Sequence, residues 1–170
     1  MLVDRRQGTA CAGQARGARG RAGGFTLIEL LITIMVAAVL ATLAAPSFRE
    51  FVATQKLRNV SFDLMAALTL ARSEAISRNV TIDFKRTGSA WDTGWTVGEP
   101  DAPVMAQEAY KGLSITDSAS LAAITFGRDG RATAGTRFTI APDPVVSGVA
   151  SRCVLIGADG MPFSRKGACS

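Results

Sequence analysis

Residues 25–45 read FTLIELLITIMVAAVLATLAA, and the fold turns on this stretch. It holds one charged residue, Glu29, and neither glycine nor proline. As a helix at about 1.5 Å per residue it spans roughly 30 Å, the thickness of a bilayer's hydrocarbon core. Upstream lie Arg5, Arg6, Arg16, Arg19 and Arg21 against the acidic Asp4. The positive-inside rule therefore places residues 1–24 in the cytoplasm and everything after Ala45 across the membrane. A secretory signal peptide needs a shorter apolar core and a small-x-small cleavage site, for which LATLAAP is a poor match. A plain signal anchor leaves Glu29 unexplained, because a carboxylate in lipid costs on the order of 2.5–3.5 kcal/mol even on the lenient insertion scale. The natural partner for such a group is a positive charge brought to the same depth.

Working outward, 170 residues make room for one domain of ordinary size. The net charge is +5, but most of it sits in residues 1–24, leaving about one positive charge for the remainder. Composition therefore makes no case for a polyanionic partner once the leader is set aside. Of three cysteines, Cys11 lies in the leader, while Cys153 and Cys169 lie near the C-terminus. In an exported domain this pair reads as a disulfide closing a short terminal loop, worth roughly 3 kcal/mol if unstrained. In a cytoplasmic chain they read as two free thiols. Histidine is absent, which removes the commonest general base and the commonest zinc ligand.

The string Gly24-Phe25-Thr26-Leu27-Ile28-Glu29, continued by Leu30-Leu31, resembles the prepilin cleavage motif of type IV pilins and type II secretion pseudopilins. In that family a membrane peptidase cuts after the glycine and methylates the new amine. The resemblance implies cleavage between Gly24 and Phe25, N-methylation of Phe25, and an assembly role for Glu29. The carboxylate would meet the Phe25 amine of a neighbouring subunit, since pairing two buried charges removes the penalty each carries alone. The leader is longer than many in the family, so the true start codon could lie further downstream.

Beyond Pro46, expected to kink the helix or mark its exit from lipid, residues 47–78 contain no glycine or proline. Apolar side chains recur at helical spacing at Phe48, Val52, Leu57, Val60, Leu64, Leu68, Ala71 and Ala75, which predicts an amphipathic helix covering a sheet. Residues 68–80, LTLARSEAISRNV, resemble the LxxARSEAxxRN signature of the GspH/FimT branch of pseudopilins and minor pilins. The WDTGW stretch from Trp91 to Trp95 is also similar to that branch. Arg72, Glu74 and Arg78 have a structural explanation: Glu74 and Arg78 are an i,i+4 pair, and cations suit a helix C-terminus. Trp91 and Trp95 read as core residues rather than a ligand cage.

From Thr81 the pattern shifts to short strands, expected at 80–85, 94–97, 104–110, 121–126, 131–140 and 153–157. Turns fall at Thr87-Gly88, Glu99-Pro100, Asp129-Gly130, Pro142-Asp143-Pro144 and Asp159-Gly160. The expected architecture is α+β and type IV pilin-like, a long N-terminal helix followed by an antiparallel β-sheet head. Its segments are a prepilin leader at 1–24, a transmembrane segment at 25–45, an amphipathic helix at 46–79 and a periplasmic head at 80–170. FimT-like members implicated in DNA uptake carry Gly-Arg-x-Arg near the C-terminus, where this chain reads Gly160-Met161-Pro162-Phe163. Arg128, Arg131, Arg165 and Lys166 are approximate substitutes for DNA contact, but surface charge on turns is the commoner explanation. Phosphate-cradling loops, metal-spaced Cys/His sets and nucleophile elbows are all missing from the sequence, so neither an enzyme nor a cofactor is expected.

The resulting expectation is a minor pseudopilin of the type II secretion pseudopilus, single-pass in the bacterial inner membrane. Its implied partners are a prepilin peptidase, other pilins or pseudopilins, an inner-membrane assembly platform and membrane lipid. The alternatives are a type IV pilus minor pilin, with DNA binding for uptake, and a membrane-anchored periplasmic domain that never polymerises.

Overall fold

The computed structural model describes residues 24–99 and 101–169; the leader arginines and Cys11 lie outside them, as does Pro100 of the Glu99-Pro100 turn. The chain divides into two compact units, Met1–Leu40 and Ala41–Ser170.

One helix, α1, runs Leu27–Arg78. It starts where Thr26 Oγ1 accepts a hydrogen bond from the Glu29 N–H at 3.2 Å, an N-cap satisfying one of the orphan amides of the first turn. Pro46 lies inside α1 and does not end it. The helix stops at Asn79, whose φ of 55° is the left-handed cap conformation that asparagine tolerates. In the N-terminal unit the described side chains are exposed, and α1 is long and apolar enough to cross a membrane.

In the second unit, α1 buries Leu57, Val60, Ser61, Leu64, Ala67, Leu68, Ala71 and Ala75, one face at three-and-four spacing. That face packs into a core shared with two four-stranded antiparallel sheets. The first has the order β3 (Ala102–Gln107), β2 (Trp95–Glu99), β1 (Ile82–Arg86), β5 (Ala123–Phe126). The second has the order β4 (Leu113–Asp117), β6 (Thr136–Pro142), β7 (Arg152–Ile156), β8 (Pro162–Lys166). Alternation sets which side chains enter the core: Ile82 and Phe84 on β1, Ile124 and Phe126 on β5, Phe138 and Ile140 on β6.

Aromatic rings join the sheets. Phe84 of β1 stacks on Trp91 at 4.9 Å between centroids, and Trp91 meets Phe138 of β6 edge-on at 5.0 Å. Offset and edge-to-face pairs of this kind contribute about 0.5–1.5 kcal/mol beyond area burial. Both indole N–H groups, on Trp91 and Trp95, are buried without a protein acceptor among the described residues.

Two expectations are corrected. Phe48 and Val52, assigned to the buried stripe, are 67% and 47% exposed. The core begins at Leu57; upstream, α1 faces the loop at 142–146 across a groove of about 340 Å³, with Phe48 and Val52 lining it. Strands β4 and β8 were not expected, and the strand expected at 131–140 begins only at Thr136. Residues 131–133 instead tie the sheets together: Ala132 N–H donates to Ala158 O at 3.2 Å and Thr133 N–H to Thr125 O at 2.9 Å.

Candidate functional site

The residues singled out by sequence fall into three places. At the N-terminus, Phe25 is 79% exposed and Gly24 stands in open space, where an added Cβ would meet nothing within 4 Å. No packing among the described residues demands glycine there. The Glu29 backbone serves the Thr26 cap, while its side chain is exposed and forms no ion pair among the described residues. An acidic group in the first turn suits the positive end of the helix dipole, which gives Glu29 a local use. Thr26 was missed by sequence reasoning, although Thr-x-x-Glu before an apolar run is the capping-box signal.

The second place is the end of α1. Glu74 Oε2 and Arg78 Nε form an i,i+4 ion pair at 2.5 Å. Arg72 does not sit on the solvent face: its Nε donates to Gly130 O at 3.2 Å, and another nitrogen contacts Met161 Sδ. Gly130 and Gly160 close two like turns, Gly127-Arg128-Asp129-Gly130 and Gly157-Ala158-Asp159-Gly160, each donating its N–H to the carbonyl of the first residue. In each, the aspartate Oδ1 accepts the N–H two residues on, at 3.1 and 3.2 Å. Both glycines have positive φ, 75° and 71°, and a Cβ on Gly160 would come 2.2 Å from Gly130 O. Arg72 therefore pins two stacked turns to the helix. No sequence signal separates this use from an ordinary helix-end cation.

The third place is the C-terminal region. Cys153 and Cys169 are joined by a disulfide, Cα to Cα 5.1 Å. Arg128 lies within the turn stacked against Gly160 and Arg131 directly follows it, next to the start of β8. Lys166 ends β8, opposite Arg152. Four steps of strand, roughly 13 Å, lie between. The structure does not gather Arg128, Arg131, Arg165 and Lys166 into one patch. Tyr110, also missed, donates to Asp63 Oδ2 at 2.8 Å, tying the loop before β4 to α1. Burial, then the hydrogen bond and the charge of Asp63, raise the Tyr110 phenol far above the ordinary tyrosine range. Among the described residues no group of three or more His, Cys, Asp or Glu side chains is placed to hold a metal ion.

The sequence matches the family described as type II transport protein GspH over residues 62–160, more than half the chain. It belongs to the GspH family. The prokaryotic N-terminal methylation motif matches residues 19–45. Two fimbrial proteins of Pseudomonas aeruginosa are each 31% identical to this GspH-family chain over 96 residues, 56% of its length. The chain spans 60% of the length of each of these relatives. Its fold is that of the type IV minor pilin FimU of Pseudomonas aeruginosa PAO1: one crystal form superposes with a TM-score of 0.59 at 22% identity, covering 68% of this chain and 92% of FimU. A second crystal form gives 0.56, covering 64% and 91%. The GspH-family chain is thus a minor pilin or pseudopilin of the type IV pilin-like family, a family and fold of structural pilins.

Proposed function

We propose that the chain is a minor pseudopilin, cut after Gly24, N-methylated on Phe25, and assembled through its N-terminal helix into the pseudopilus of a type II secretion system. The observation that carries this reading is Glu29, a carboxylate with no ion-pair partner among the described residues, inside an otherwise uncharged apolar run that starts at an exposed Phe25. A free amine at Phe25 on a neighbouring subunit supplies the missing charge, and each group then offsets the other's desolvation. The requirement for glycine at 24 belongs on this reading to the prepilin peptidase, because no packing among the described residues needs it. Residues 1–24 face the cytoplasm, residues 25–45 cross the inner membrane, residues 46–79 continue as an amphipathic helix and residues 80–170 form a periplasmic head. Other pseudopilins and an inner-membrane assembly platform are the partners implied.

Glu29→Ala tests the central step. The variant is expected to be processed at Gly24 and to enter filaments at less than about a tenth of the wild-type level, the change that ~1.4 kcal/mol produces. Normal assembly of the variant would remove the role given to Glu29.

The likeness to FimU and to the two fimbrial proteins favours a second reading, membership of a type IV pilus. Deleting the chain in its host separates the two. Exoproteins accumulating in the periplasm with surface pili intact support secretion; loss of pili with secretion intact supports the pilus.

A further inference from the structure

Where β7 begins and β8 ends, three cations converge on one small pocket. Arg58 of α1, Arg152 at the start of β7 and Lys166 at the end of β8 line a cavity of about 60 Å³ together with Thr54, Gly148 and Ala150. Arg152 and Lys166 are register partners on adjacent strands. The Arg152 guanidinium is held in place: Nε donates to Ser61 Oγ at 3.0 Å and a terminal nitrogen donates to Ser164 Oγ at 3.3 Å. Ser61 is fully buried and donates to Arg58 O at 2.7 Å, so its lone pairs are turned to the guanidinium.

These braces are neutral. No carboxylate among the described residues forms an ion pair with Arg58, Arg152 or Lys166. Glu50, whose carboxylate lies against Gly148, forms none with them either. A guanidinium has five donors, so about three remain on Arg152 for another acceptor. Orienting a half-buried cation without a counter-charge costs free energy that an incoming anion would recover. A planar carboxylate matches the guanidinium fork, and the cavity volume suits one such group.

We propose that this pocket receives an Asp or Glu side chain from a neighbouring filament subunit, setting the register between heads. The inference rests on the assembly reading above. Magnitudes disfavour two other oxyanions. Thr54 stands about nine residues beyond Ala45, roughly 13 Å along the helix, whereas the headgroup layer adds only about 5–7 Å to each side of the hydrocarbon core. Nucleic acid binding needs phosphates neutralised along a track, and here the cations close on one point, with Arg128 and Arg131 at the far end of β8.

A photo-cross-linking amino acid at the exposed Ala150, in the full-length chain expressed in its host with the filament machinery, tests this. The expected product is an adduct to an Asp- or Glu-bearing peptide of another subunit. It should fall about tenfold or more in Arg58→Glu/Lys166→Glu, in line with the loss of interfacial charge pairs. Both substituted residues are exposed, and the double variant keeps the Ser61–Arg152–Ser164 brace. Formation of its Cys153–Cys169 disulfide reports that it has folded. An adduct unchanged by charge reversal, adducts to phospholipid or nucleic acid alone, or no adduct while the chain is in filaments would each overturn the proposal. Absence of the wild-type chain from filaments would instead sink the assembly reading itself, and the proposal with it.

Discussion

Tyr110 shows how a single contact in the head becomes measurable. The folded chain holds the phenolic proton more tightly than the unfolded chain, where tyrosine titrates near 10. The Tyr110–Asp63 contact therefore contributes in full below pH about 10, and its contribution is lost as pH rises above that value. Tyr110→Phe is expected to be about 1 kcal/mol less stable at neutral pH. In urea unfolding of the detergent-solubilised chain, the wild type should lose this advantage as pH rises above about 10. Parallel stability curves for the two proteins would show that the hydroxyl does not matter. Neither Tyr110 nor Asp63 stood out in the sequence, because a contact spanning 47 residues leaves no local pattern. Glu29 did stand out, since a charge in an apolar run is anomalous wherever the chain goes next.

At the scale of elements, α1 was legible and the sheets were only partly so. Its spacing, its lack of glycine after residue 47 and its end at Arg78 are local signals, and Asn79 closes it as its chemistry allows. The stripe failed at Phe48 and Val52, because what a helix packs against is decided by strands far along the chain. Strand β8 was missed since Pro162-Phe163-Ser164-Arg165-Lys166 opens on proline and ends on two cations, a composition tolerated at an edge and rare in a centre. The outer face of α1 yields a prediction. Phe62 is 62% exposed, opposite the core-facing Val60 and Leu64. A large ring held in water contributes little to folding of the chain alone, and on an assembling helix it is available to a neighbour. Phe62→Ser should leave thermal unfolding within about 0.5 kcal/mol of wild type while lowering incorporation into filaments several-fold. A large drop in stability with normal incorporation would place Phe62 in folding instead.

For the whole molecule, the two sheets, the aromatic cluster and the two Asp-Gly turns make the head, and the apolar helix carries the methylation motif on which the proposed assembly rests. The Gly24–Glu29 motif and the helix signature were readable because both rest on short, contiguous residues. Three features were not: the Arg72 clamp, the Arg58–Arg152–Lys166 pocket and the separation of the two C-terminal cation pairs all depend on which strands lie side by side. The central claim is that cleavage creates the functional end of the chain. Intact-mass and peptide mass spectrometry of the protein extracted from host membranes tests it most directly. The account predicts a mature chain that begins with N-methylated Phe25; a chain retaining residues 1–24, or beginning elsewhere with an unmodified amine, would contradict it.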